Sequence, residues 1–173
     1  TLSNDIFVYS LGNWEAPFGI VLVLDQFSIL MVLVTSLLAF GALWYAISEG
    51  IDKKGAHFHP LFQLQLFGLN GAFLTGDLFN LFVFFEILLL ASYSLLLHAK
   101  GEGRVKAGLH YVVINLVGST LFLFAVGTLY GILGTLNIAD LSQKVAQLTP
   151  ENVSILASAG LLLLIVFGLK AAM

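Results

Sequence analysis

Residues 75–97 read Thr75-Gly-Asp-Leu-Phe-Asn-Leu-Phe-Val-Phe-Phe-Glu86-Ile-Leu-Leu-Leu-Ala-Ser-Tyr93-Ser-Leu-Leu-Leu97. A membrane crossing takes about 20 predominantly apolar residues, and the run from Leu78 onward meets that with one acid, Glu86, in its middle. At ~1.5 Å per residue, Glu86 lies roughly 12–13 Å along a helix that crosses a ~30 Å hydrocarbon core. A carboxyl at that depth costs roughly 2.5–3.5 kcal/mol on insertion scales, so such acids line an ion or proton path or meet a partner. Loss of water makes a carboxyl hold its proton more tightly, and a nearby cation opposes this. An acid between those two influences exchanges a proton near neutral pH. The alternative is a structural glutamate bonded to a neighbouring helix. Tyr93, seven residues on, falls on the same helical face, which is then the inward one.

The rest of the chain is of the same character. Of 173 residues 59% are hydrophobic and 10% charged, and the mean hydropathy is +1.00. A soluble domain carries about a quarter charged residues, so too few exist here to cover a water-facing surface. A net charge of −3 excludes the basic face of a nucleic-acid binder. Without cysteine there is no disulfide framework, thiolate metal site or thiol nucleophile. No phosphate-binding glycine loop or nucleophile constellation is present, so no covalent chemistry, cofactor or metal is expected. The chain starts at Thr1 without an initiator Met and stops inside an apolar stretch, as expected of a slice of a longer polypeptide.

The expected fold is all-α and integral to a membrane, one domain of about five transmembrane helices. Their expected bounds are about 27–48, 60–76, 78–98, 105–131 and 151–173. Residues 1–26 form an external segment, whose Val-rich run before Asp25 is a candidate strand. Residues 132–150 form an external connection, in which Ile138, Leu141, Val145 and Leu148 fall at the spacing of a short interfacial helix. Pro60 and Pro150 are placed at helix starts. Asp25 and Asp77 each precede an apolar run and read as N-caps. Loop charges test the parse independently. Lys53, Lys54, Lys100, Arg104 and Lys106 fall in two alternate loops, whereas the other loops hold only Lys144. Under the positive-inside rule the loops at Lys53 and Lys100 are cytoplasmic and the N-terminal segment is outside, in the cell's inner (plasma) membrane.

Other side chains carry weaker signals. Lys170 reads either as a lysine snorkelling to the interface or as the cationic partner of Glu86. His110, one turn beyond Lys106, is a candidate proton relay or an ordinary interfacial histidine. Lys106, His110, Tyr93 and Asn115 together are the further candidate pathway residues. Haem ligation needs histidines facing each other at matched depth, which His57, His59, His98 and His110 do not offer. Small residues at four-residue steps, Gly68-Ala72-Gly76 and Gly127-Gly131, mark either close packing within one bundle or an oligomer face.

The quoted run resembles the glutamate-bearing fifth helix of the antiporter-like subunits shared by Mrp-type multisubunit Na+/H+ antiporters and respiratory complex I. Trp14-Glu-Ala-Pro-Phe-Gly-Ile20 resembles the external segment before that family's third helix, and Lys106-Ala-Gly-Leu-His-Tyr-Val-Val-Ile-Asn-Leu-Val-Gly-Ser119 its sixth. Gly168-Leu-Lys-Ala-Ala-Met173 resembles the seventh helix up to its lysine. Within the family the four stretches look closest to the Mrp-type antiporter branch. The resemblance implies that Glu86 and Lys170 are the charged pair of the fifth and seventh helices, opening a proton path in the first of two inverted five-helix repeats. It implies a broken seventh helix with Lys170 near the midplane, and five spans corresponding to helices three to seven. The implied function is a cation/proton-translocating subunit, a transporter and not an enzyme. Its partners are other membrane subunits, the lipid bilayer, H+ and Na+ or a similar cation. The rivals are a proton-pumping subunit of an NADH:quinone oxidoreductase or membrane-bound hydrogenase, and a non-transporting scaffold.

Overall fold

The computed structural model of the chain describes residues 6–14, 17–98 and 101–171, with the side chains of Glu102, Pro150 and Glu151 left aside. Lys100 lies outside the described residues, as do Glu15, Ala16, Ala172 and Met173. Two short strands come first, β1 (Phe7–Ser10) paired with β2 (Val21–Leu24). Among the described residues six α-helices follow: α1 (Gln26–Ser48), α2 (Phe58–Leu74), α3 (Leu78–Leu96), α4 (Glu102–Leu133), α5 (Ile138–Ala146) and α6 (Pro150–Lys170).

Helices occupy all five long apolar stretches, and among the described residues four of them are long and apolar enough to cross a membrane: α1, α3, α4 and α6. The 17 residues of α2 reach only about 25 Å at ~1.5 Å per residue, short of a ~30 Å core. This helix also begins at Phe58, which moves Pro60 from the first helical position to the third. Proline is harmless there, because the first four N–H groups of a helix have no intrahelical acceptor in any case. The candidate strand is real, and so is the short amphipathic helix α5. Asp25 caps α1 by accepting from Ser28 N at 2.7 Å and Ser28 Oγ at 2.8 Å. Those bonds, the backbone one first, hold its carboxyl below the usual carboxylate range. Asp77 caps α3 in the same way, accepting from Asn80 N at 2.9 Å.

The chain divides into two compact units, the first comprising Thr1–Phe7, Val23–Leu74 and Val83–Val113, the second Val8–Leu22, Thr75–Phe82 and Ile114–Met173. In the first, α2 and α3 touch through glycine. A Cβ on Gly68 would lie 2.6 Å from Leu88 Cβ and 2.9 Å from the Phe84 carbonyl oxygen, and one on Gly71 would strike the Phe84 ring. Of the small-residue step, Gly68 therefore serves packing within the unit, together with Gly71 outside the step. Gly127 and Gly131 meet nothing within 4 Å.

The second unit contains a backbone clasp. Gly76 N donates to Val21 O at 2.8 Å, Leu78 N to Leu136 O at 2.9 Å and Ile138 N to Gly76 O at 2.9 Å. Antiparallel bridges join Leu22 to Thr75 and Asp77 to Asn137. The three-residue link before α3 is thereby tied to β2 and to the start of α5, so its backbone groups are paired although Asp77, Asn80, Thr135 and Asn137 are buried there. The Thr135 hydroxyl, and after it Lys144 at 3.2 Å, hold the Asp140 carboxyl below its ordinary range.

Candidate functional site

Glu86 is the ninth of the 19 residues of α3 and is half-buried. α3 forms because a run of Leu, Phe and Ile is started by the Asp77 cap and the clasp, and that fixed start sets the depth of the glutamate. Within the first unit Tyr93 lies two turns further along the same face, about 10 Å away at ~1.5 Å per residue. Its ring meets Tyr111 of α4 edge-on, centroids 5.2 Å apart, and Ser92 Oγ donates to Tyr111 Oη at 3.1 Å. A hydroxyl cluster thus joins α3 to α4 on the C-terminal side of Glu86 along α3. Tyr111 and Ser92 escape a reading of the sequence, because only their pairing across two helices distinguishes them from other interfacial side chains.

Lys106 and His110 lie on the exposed first turns of α4. His110 Nδ1 sits 2.8 Å from the Lys106 carbonyl oxygen. A carbonyl only accepts, so Nδ1 carries the proton and Nε2 is the basic nitrogen of the neutral ring.

In the second unit α4 presents a buried stripe of Asn115, Gly118, Ser119, Phe122, Ala125, Val126 and Leu129. Asn115 and Ser119 are 6% and 5% exposed, one helical turn apart on one face. α6 packs on this stripe, with Val166 fully buried and Phe167 edge-on to Phe122, centroids 5.9 Å apart. Lys170 closes α6, and its Nζ donates to Ser119 Oγ at 3.3 Å. The half-buried lysine thus turns its amine onto α4. Ser119 has no separate signature in the sequence beyond its place four residues after Asn115. Among the described residues no group of three or more His, Cys, Asp or Glu is placed to hold a metal ion.

Residues 75–173, more than half of the chain, match the family described as NADH:quinone oxidoreductase/Mrp antiporter, TM. The chain is 57% identical over 166 residues, 96% of its length, to a probable K+/H+ antiporter subunit of Rhizobium meliloti, of which it covers 31%. It is 45% identical over 168 residues to an Na+/H+ antiporter subunit of Alkalihalophilus pseudofirmus, covering 96% of itself and 34% of that protein. Among solved structures, a chain of the Mrp complex from Dietzia sp. superposes with a TM-score of 0.86 at 36% identity, covering 98% of this chain and 31% of that one. The chain therefore spans about a third of the length of the curated relatives it matches. With a matching family profile over the helix that bears Glu86, the clasp before it and the helices after it, the chain belongs to the NADH:quinone oxidoreductase/Mrp antiporter family of membrane subunits.

Proposed function

We propose that this chain is the glutamate-bearing part of the ion-translocating subunit of a multisubunit monovalent cation/proton antiporter. Glu86 takes up and releases the transported proton. Lys170 is its cationic partner in the pathway, and the Tyr93–Tyr111–Ser92 cluster with His110 and Lys106 connects Glu86 to the inner water. Asn115 belongs to the same route on α4. The observation that carries the reading is a single carboxyl at mid-depth of an otherwise apolar, capped helix, in a family whose named relatives include K+/H+ and Na+/H+ antiporter subunits. An acid has no cheap structural role at that depth, since a neutral amide would hold helices together at lower cost.

The cation is Na+ or K+, the partners are other membrane subunits, and the setting is the plasma membrane with the loops at Lys53 and Lys100 cytoplasmic. The test is an antiport assay on the full-length subunit in its complex, in everted vesicles carrying a preformed proton gradient. Addition of NaCl or KCl is expected to dissipate that gradient. Vesicles that ignore both salts, and acidify only when given an electron donor, would assign the chain to a redox-driven pump.

A further inference from the structure

We propose that Ser119 is a positioning residue for Lys170, holding the lysine nitrogen in place through both of its protonation states. The inference rests on the reading of Lys170 as part of the proton pathway and adds a residue to it. Three observations on α4 and α6 meet at this point. Lys170 Nζ lies 3.3 Å from Ser119 Oγ. Ser119 is 5% exposed, whereas Thr120 and Thr128, on the exposed side of α4, return their hydroxyls to their own helix at Leu116 O and Phe124 O. Gly118 brings the two helices together beside the contact, since a Cβ there would come within 2.8 Å of Leu169 Cδ2.

The chemistry follows from the donor inventory. A lysine ammonium has three donors and no acceptor, while the neutral amine gains a lone pair. A serine hydroxyl accepts from the first and, by rotating, donates to the second. It therefore keeps a hydrogen bond to the nitrogen before and after the proton leaves, with no movement of either helix. A carbonyl in its place could serve the ammonium but would have no proton to offer the amine lone pair. Asn115, buried one turn away on the same face, extends the polar lining of this position.

The experiment compares wild type, Ser119→Ala, Ser119→Thr and Lys170→Ala in the full-length subunit, assembled in its complex, by antiport in everted vesicles over roughly pH 6 to 9. The bond to the ammonium is stronger than the bond to the neutral amine, so losing both in Ser119→Ala disfavours the ammonium by the difference and moves the alkaline limb of the pH profile to lower pH by about one unit. Ser119→Thr keeps the hydroxyl and restores the limb. A Ser119→Ala profile that superimposes on wild type overturns the proposal, as does a shift to higher pH. Failure of Ser119→Ala to assemble, or an equal defect in Ser119→Thr, assigns the residue to packing and overturns it too. Lys170→Ala separates the two levels: if it transports like wild type, the pathway reading itself falls. If it is inactive while Ser119→Ala superimposes on wild type, only the role of Ser119 falls.

Discussion

α1 and α4 are both long, apolar and uncharged through their middles, yet they do different things with their hydroxyls. In α1, Ser36 and Ser48 donate to the carbonyls of Val32 and Trp44, four residues back, both at 2.8 Å. Those groups are satisfied within their own helix and ask nothing of a neighbour. Leu30, Leu37, Leu38, Phe40 and Trp44 stand exposed around them, and the buried side of α1 is confined to Ser28, Ala39 and Ala46. α4 repeats the self-satisfied pattern at Thr120 and Thr128, and at Ser119 it adds a buried hydroxyl that receives a hydrogen bond from a lysine on another helix. In a bilayer an unpaired polar group costs several kcal/mol, which favours a partner for each of these hydroxyls. What separates α4 from α1 is a buried hydroxyl that also meets a lysine of another helix.

The largest expected effect comes from removing that charge. Lys170→Ala should abolish cation-driven proton movement while the complex still assembles. Lys170→Arg should impair it severely, because a guanidinium does not give up its proton. Near-normal antiport by the arginine variant would mean that the amine is a passive anchor and that α4 differs from α1 only in burial.

A smaller effect is expected at the close approach of α2 to α3. In Gly68→Leu the new side chain meets Leu88 and the Phe84 backbone, so the helices must separate. Overpacking of this kind costs about 1–3 kcal/mol, and should lower the thermal midpoint and yield of the solubilised complex. Unchanged stability would show that α2 is free to shift along α3. The smallest effect belongs to the self-satisfied hydroxyls. Ser36→Ala and Thr128→Ala should leave transport rate and pH profile as in wild type, and a profile shift in either variant would erase the distinction between the two kinds of helix.

The outlines of this molecule are legible in the sequence for a physical reason. Five apolar stretches become helices because a backbone in lipid has to pair with itself, and Asp25 and Asp77 announce two helix starts because short acceptors satisfy orphan N–H groups. Glu86 is legible because an acid is rare at that depth. Other features arise only from long-range pairing. The clasp is built from backbone groups of Gly76, Leu78 and Ile138, which carry no side-chain signature. The start of α2 lies two residues before Pro60, where local preference does not place it. Ser119 looks like Thr120 and Thr128 until α6 covers it. Lys170 reads from the sequence as an interfacial lysine or a charge partner, and nothing there announces that its amine meets Ser119.

The central claim is that the carboxyl of Glu86 acts by ionising and not by holding helices together. Glu86→Gln keeps the shape and the hydrogen-bonding capacity of the side chain and removes only its titration. The decisive measurement is cation-dependent proton movement by this variant in everted vesicles, in the full-length assembled complex, over roughly pH 6 to 9. Normal assembly with no antiport at any pH is the predicted result. Antiport at the wild-type rate across that range would contradict the account and leave Glu86 as a structural residue.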